Sequence, residues 1–132
     1  MMVLSEMLRN ARLDLIAAAL DGADAPGRMH IYDGIRPDPG LAITTQALLA
    51  DIALPRPLAP PAQNGVLEFH PVAESLALAT GIATWVRLTN GDGLWVADGD
   101  VGLMDSGADV ELDDLELYRG GTVSVLAAIL SE

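Results

Sequence analysis

Apolar residues recur at intervals of three and four near the start of the chain, a spacing that predicts an amphipathic helix over residues 4–20. The apolar stripe that they form consists of Leu4, Leu8, Ala11, Leu15 and Ala18. Three further residues widen this face, namely Leu13, Ile16 and Leu20. Such a helix packs either on its own domain or on a partner subunit, and the spacing is compatible with both arrangements.

Residues with capping preferences stand at both ends of the predicted helix. We expect Ser5 to cap the N-terminus, because a serine hydroxyl accepts a hydrogen bond from a free N–H of the first turn. Gly22 follows the last periodic residue, where a left-handed C-cap is common. We therefore expect a positive φ at Gly22.

The pattern changes after residue 22, where Gly, Pro and Asp interrupt the chain every 8–12 residues. Short segments separated by turn residues are typical of an all-β sandwich or barrel. The first strand candidates are residues 28–32, a segment within 44–54, and 66–69. Four prolines between residues 55 and 61 predict an extended, non-helical connection.

Alternation of apolar and other residues is clearest in the second half of the chain. It predicts strands over 82–88, 94–98, 108–113 and 123–129. Asn90-Gly91 between the first two predicts a hairpin with a type I′ turn. In the last strand, Val123, Val125, Ala127 and Ile129 are expected to face inward.

These elements predict one domain over residues 1–132, with a helix at 4–20 and a β-rich body at 28–130. The expected fold is an antiparallel β-sandwich or barrel of about seven or eight short strands behind one amphipathic helix. Half of the residues are hydrophobic and only 4% are aromatic, so the core should be aliphatic.

Composition narrows the functional classes. The absence of cysteine excludes disulfides and thiolate metal sites. We expect neither a signal peptide nor a membrane span, because charged residues interrupt the first twenty residues and the apolar runs are short. The net charge is −12, and residues 92–132 carry −9 of it, from ten acids and one Arg. Nucleic acid and anionic membranes repel such a surface, so neither is an expected partner.

Catalytic motifs are missing from the sequence. His30 and His70 are the two side chains that ordinarily titrate near neutral pH, and each lies in a strand candidate without an acidic residue at helical ligand spacing. The chain has no Gly-x-Ser-x-Gly elbow and no glycine-rich phosphate loop. We therefore expect a non-enzymatic protein with no catalytic residues and no cofactor.

Aspartates in glycine-rich turns are the strongest candidates for binding chemistry, with Asp98, Asp100 and Asp105 as weak metal ligands. Residues 98–102 begin like a calcium loop, but Gly102 occupies the next ligand position and Asp109 stands where the loop needs a glutamate. Solvated turns are the expected outcome, and a calcium- or sugar-binding module is the alternative. Acidic residues 109, 111, 113, 114 and 116 are expected on the polar side of a strand pair, where they discourage edge-to-edge pairing. The alternative is that this face meets arginines of another protein.

A proline-stiffened apolar segment at residues 55–69 is the main interface candidate, because a stiff segment loses little entropy when it docks. With the helix, it gives as interface candidates Leu4, Leu8, Leu15, Leu58, Val66 and Phe69. The alternative is that residues 55–69 fold back over their own core.

Three segments, in order, resemble a family of small virion proteins encoded by tailed bacteriophages and prophages. They are residues 8–16, residues 29–37 and residues 81–88, the last followed by the Asn-Gly turn and residues 98–102. The end of the chain, at 112–113 and 121–125, also fits the family. The chain departs from the family pattern at 55–62 and in its acidic region.

The resemblance implies a structural role in the virion, reached after assembly in the cytoplasm of the bacterial host. A capsid decoration (cement) protein that stabilises the head fits an acidic chain unsuited to DNA, and a tail or baseplate component is the alternative. The implied partners are other copies of the chain, arranged as a trimer, and the major capsid protein or other virion proteins. Capsids offer three-fold sites for such closed symmetry.

Overall fold

Short apolar segments broken by glycine and proline form eleven strands behind a single helix, in a computed structural model that describes residues 2–132. The helix, α1, spans Glu6–Asp21. The strands are β1 (Arg28–Tyr32), β2 (Leu48–Ala53), β3 (Val66–Glu68), β4 (Ser75–Leu76), β5 (Gly81–Ile82), β6 (Trp85–Thr89), β7 (Trp95–Leu103), β8 (Val110–Leu112), β9 (Glu116–Leu117), β10 (Thr122–Val123) and β11 (Val125–Ser131). The predicted mainly β, sandwich-like fold with one leading helix is confirmed.

Seven strands form one sheet in the order β2-β1-β6-β7-β8-β11-β3, and two small sheets pair β4 with β10 and β5 with β9. All pairs are antiparallel except β7 with β8, which makes the large sheet mixed. The acidic strand β8 therefore lies inside the sheet, between β7 and β11. The expectation that its acids protect a free edge is wrong, because both of its edges are hydrogen-bonded.

Helix α1 has the predicted N-cap but begins two residues later than predicted, at Glu6, and it turns a different face inward. The Ser5 hydroxyl accepts a hydrogen bond from the Leu8 N–H at 3.2 Å, which confirms the N-cap. Leu13 and Leu20 are buried, and Ile16 packs against the same core. These residues, at spacings of three and four, are the inward face, whereas the apolar stripe lies away from the core.

The C-terminus of α1 is capped by an arginine rather than by a left-handed glycine. Gly22 has a φ of −77°, so the predicted positive φ is wrong. The Arg56 guanidinium donates to the carbonyls of Asp21 at 2.8 Å and Asp24 at 2.6 Å, and also to that of Ala23. Because the arginine satisfies these carbonyl groups, the chain needs no left-handed turn at this end.

The proline-rich segment is fastened along α1 by hydrogen bonds. Three helix side chains accept backbone N–H groups from residues 58, 62 and 65, namely Asp21 at 3.2 Å, Asp14 at 2.8 Å and Asn10 at 2.8 Å. Leu58 and Phe69 point into the core and are 0% and 7% exposed. The segment thus folds back over its own domain.

A bulge in β11 reverses the inward face of the last strand. Val125 pairs with Leu112, and the register shifts between Val125 and Ala127. One extra residue exchanges the two faces of a strand, so Ala128 is buried after the bulge. Val123 is buried as predicted, in β10. The inward assignment is wrong for Ile129, which is 38% exposed.

The predicted hairpin joins β6 to β7, but its turn has a different geometry from the expected type I′. Asn90 N–H donates to the Leu94 carbonyl at 2.9 Å, which closes a longer turn. Positive φ occurs at Gly93, at 84°, and not at Asn90 or Gly91. Gly91 is needed for another reason, since a Cβ there would come within 2.0 Å of the Ala25 carbonyl oxygen.

Candidate functional site

The side chains most capable of chemistry lie together on one face of β1, β2, β6 and β7. Cross-strand pairing places His30 opposite Asp51 on one side and opposite Arg87 on the other. Asp51 accepts a hydrogen bond from Arg28 Nε at 2.9 Å, and His30 Nε2 lies 3.2 Å from the same carboxylate oxygen. One aspartate therefore serves both basic side chains.

Arg87 and Asp98 form a buried, two-pronged ion pair next to this group. Arg87 Nε lies 2.8 Å from Asp98 Oδ1, and Nη2 lies 3.1 Å from Oδ2. Trp95 Nε1 at 3.0 Å and the Gly40 N–H at 3.2 Å complete the shell of the carboxylate. Burial opposes ionisation, but these hydrogen bonds outweigh it and hold the pKa of Asp98 below its ordinary value.

Aromatic rings fill the space between the two ion pairs. Tyr32 stacks on Trp85 with ring centroids 4.7 Å apart, and the Arg87 guanidinium lies 5.2 Å from the centroid of the Trp85 ring. Burial raises the pKa of Tyr32. The Trp85 Nε1 donates to the carbonyl of Asp33, whose loop covers this face of the sheet.

Burial also lowers the pKa of His30, since desolvation and the two neighbouring arginines outweigh the attraction of Asp51. The imidazole is therefore neutral at pH 7 in the folded chain. The cluster joins four strands by electrostatic contacts, and each charged member is paired within the chain. The Arg87–Asp98 pair is buried, whereas Arg28 and Asp51 are 39% and 34% exposed.

The three weak metal candidates do not converge. Asp98 is held by Arg87, and Asp100 lies 3.5 Å from Arg36. Asp105 has a φ of 62° in an exposed turn after β7. Among residues 2–132, no group of three or more His, Asp or Glu side chains is close enough together to hold a metal ion.

The six interface candidates differ in how far their side chains are exposed to solvent. Leu58 and Phe69 are buried in the chain's own core, so their assignment to an exposed interface is wrong. Val66 is half-buried in β3. On α1, by contrast, Leu8 and Leu15 are 47% and 68% exposed, and Leu4 before it is half-buried.

The apolar stripe thus faces outward along the whole of α1. Its alanines, Ala11 and Ala18, are exposed as well. Spacing alone could not separate this stripe from the inward face, because both repeat at intervals of three and four.

A second apolar surface, the lateral patch, was not expected from the sequence. It consists of Leu76, Leu78, Ile82 and Tyr118, each more than half exposed. Ile82 and Tyr118 line one shallow depression of about 210 Å³. Two-residue strands are too short to show a period, so no signal in the sequence marked this patch.

No family model matches the chain, and neither a curated protein nor a solved structure matches it. Within residues 2–132, no helix has the length and apolar character that crossing a membrane requires.

Proposed function

We propose that the chain is a non-enzymatic structural protein of a tailed-phage virion, acting as a capsid decoration protein that stabilises the head through protein–protein contacts. The observation that carries the proposal is the exposure of large apolar side chains on a domain whose buried charged side chains are paired internally. On one face of the sheet, Arg28 is paired with Asp51 at 2.9 Å and Arg87 with Asp98 at 2.8 Å. The surface also exposes large apolar side chains.

Two local groups stand out among the exposed apolar residues. The apolar stripe lies on α1, which contacts β3 at one edge of the seven-stranded sheet. The lateral patch lies beside β2 at the other edge, where Leu78 N–H donates to the Leu49 carbonyl at 2.8 Å. Grouped apolar side chains on a folded surface mark sites of protein association. Two separate groups suit a subunit that contacts both its own copies and a larger lattice.

The charge of the chain favours an outer position on the particle. A net charge of −12 repels packaged DNA, so contact with the interior of a filled head is unfavourable. The resemblance of residues 8–16, 29–37 and 81–88 to small virion proteins of tailed phages supports the same assignment. The partners in this proposal are the major capsid protein and other copies of the chain.

Co-sedimentation with purified phage heads and, separately, purified tails tests the proposal. We expect saturable binding to heads, abolished in an Ile82→Asp, Tyr118→Asp double variant of the lateral patch. A Leu94→Asp, Leu103→Asp variant adds the same charge at exposed positions elsewhere and should still bind. Binding to tails alone would replace decoration with a tail role. Binding to neither particle would contradict a virion role.

A further inference from the structure

Helix α1 is apolar on two opposite faces. The inward face carries Leu13, Ile16 and Leu20. The outward face carries the apolar stripe, flanked by Met7, which is 80% exposed, and by Ala19. At 100° per residue, this outward arc contains no polar residue over four turns. A surface helix normally carries polar residues on the face opposite the core, so an outward face without polar residues is unusual for a helix in this position.

We propose that the α1 helix of a second copy of this chain covers the apolar stripe. The stripe residues are spaced four, three, four and three apart, which is the heptad period of a helix that packs along another helix. After Leu4, the leucines at positions 8 and 15 alternate with Ala11 and Ala18, whose small side chains allow two helix backbones to approach closely. A second copy presents the same period and the same alternation.

The distribution of charge also favours contact between two copies of the chain at the apolar stripe. Residues 6–21 contain three acids and two arginines, a net charge of −1, and the rest of the chain carries the other −11. Two copies that met through residues 92–132, which carry −9, would bring acidic regions together. The charges that border the stripe are engaged within the chain: Arg12 lies 2.8 Å from Glu132, and Asp14 accepts the Ala62 N–H. A docked helix therefore meets border side chains that already have partners within the chain.

The size of the stripe sets the strength of the contact. Residues 4–18 span about 22 Å of helix, and two heptads fall short of the three or four that mark a stable coiled coil. Self-association is therefore weak in free solution and requires a high protein concentration. This contact goes beyond the proposed virion role and does not require it.

Sedimentation equilibrium on the full chain, from micromolar to near-millimolar concentration, tests the proposal. We expect wild-type protein to associate as concentration rises, and a Leu8→Glu, Leu15→Glu variant to stay monomeric with an unchanged circular dichroism spectrum. The matched control is Leu103→Glu, Leu94→Glu, since these residues are 48% and 64% exposed against 47% and 68% for the stripe leucines. The control should associate as wild type does. A monomeric wild-type chain, or association retained by the stripe variant, overturns the proposal.

Cross-linking gives a second readout that does not rely on added charge. The chain has no cysteine, so an Ala11→Cys variant carries a single thiol. Residue 11 is the midpoint of the stripe, and two paired helices bring their midpoints together whether they run parallel or antiparallel. Oxidation should give a covalent dimer for Ala11→Cys and little for Ala73→Cys, an exposed position outside α1. Equal cross-linking of the two variants would also overturn the proposal.

Discussion

At the scale of single residues, the cross-strand group on β1, β2, β6 and β7 ties stability to protonation. His30 is half-buried beside Asp51, and its pKa is lowered from the ordinary 6.5, chiefly by burial. Asp98 has its pKa lowered from 3.8 despite burial, because Arg87 and Trp95 donate hydrogen bonds to it. A lowered histidine pKa and a lowered aspartate pKa both mean that the unfolded chain binds protons more readily than the folded chain.

We predict that the free energy of unfolding is highest between pH 6.5 and pH 10, above which unfolded Tyr32 ionises first, and that it falls in two steps as pH decreases below this range. The first fall starts near 6.5, where unfolded His30 takes up a proton and folded His30 does not. The second starts near 3.8, where unfolded Asp98 becomes protonated first. Urea denaturation at a series of pH values measures both. His30→Gln should remove the first fall, and His70→Gln, at an exposed position, should keep it. An unchanged pH profile in His30→Gln would refute this account.

At the scale of elements, the β6–β7 turn contains two glycines that are required for different structural reasons. Asn90 Oδ1 accepts the N–H groups of Asp92 at 3.0 Å and Leu94 at 2.9 Å, so the asparagine shapes the turn through its side chain. Gly93 supplies the left-handed residue, with open space around it. Gly91 instead allows the turn to lie against the backbone of Ala25.

We expect Gly91→Ala to destabilise the fold by at least about 2 kcal/mol, because the new methyl group would overlap the Ala25 carbonyl and force the two loops apart. Gly93→Asn should cost less than about 1 kcal/mol, since asparagine tolerates a left-handed backbone. Thermal and urea unfolding of the two variants compare them directly. If Gly93→Asn proved the more harmful change, the backbone contact at Gly91 would not be the constraint on this turn.

Individual elements could be predicted from the sequence wherever local pattern controls them. Strand β1 appears at its predicted bounds, and Ser5 caps α1, because alternation and capping act between near neighbours. The bulge in β11 and the arginine cap of α1 could not be predicted in this way. Each depends on groups brought together by the tertiary fold, as Arg56 is with Asp21 at 2.8 Å.

The candidate site was beyond sequence reasoning for the same reason. His30 meets Asp51 and Arg87 meets Asp98 only through strand register, which pairs residues that are 21 and 11 positions apart. The sequence marked the two stripe leucines, Leu8 and Leu15, as candidates for an interface, but two apolar helix faces compete for the core. The hydrogen bonds from residues 58–65 to the polar flank of α1 fix which face turns inward.

At the scale of the whole molecule, a net charge of −12 on 132 residues opposes any contact between copies. The Debye length falls from about 10 Å at 0.1 M salt to about 3 Å at 1 M, so added salt screens this repulsion. Burial of apolar side chains is not weakened by such screening. Contacts through the apolar stripe should therefore strengthen as salt rises, whereas contacts made by ion pairs should weaken.

We accordingly predict that self-association becomes stronger between about 0.05 M and 1 M sodium chloride. Sedimentation equilibrium at fixed protein concentration should show this as a rise in the weight-average molar mass. The Leu8→Glu, Leu15→Glu variant is the control for general salting-out, because it retains the acidic surface and loses the stripe. It should remain monomeric over the same range. Dissociation of wild-type protein by salt would identify the contact as ionic and exclude the stripe as its basis. If salt induced association of the wild-type protein and the variant alike, the stripe would also be excluded as the contact. The effect would then not depend on Leu8 and Leu15.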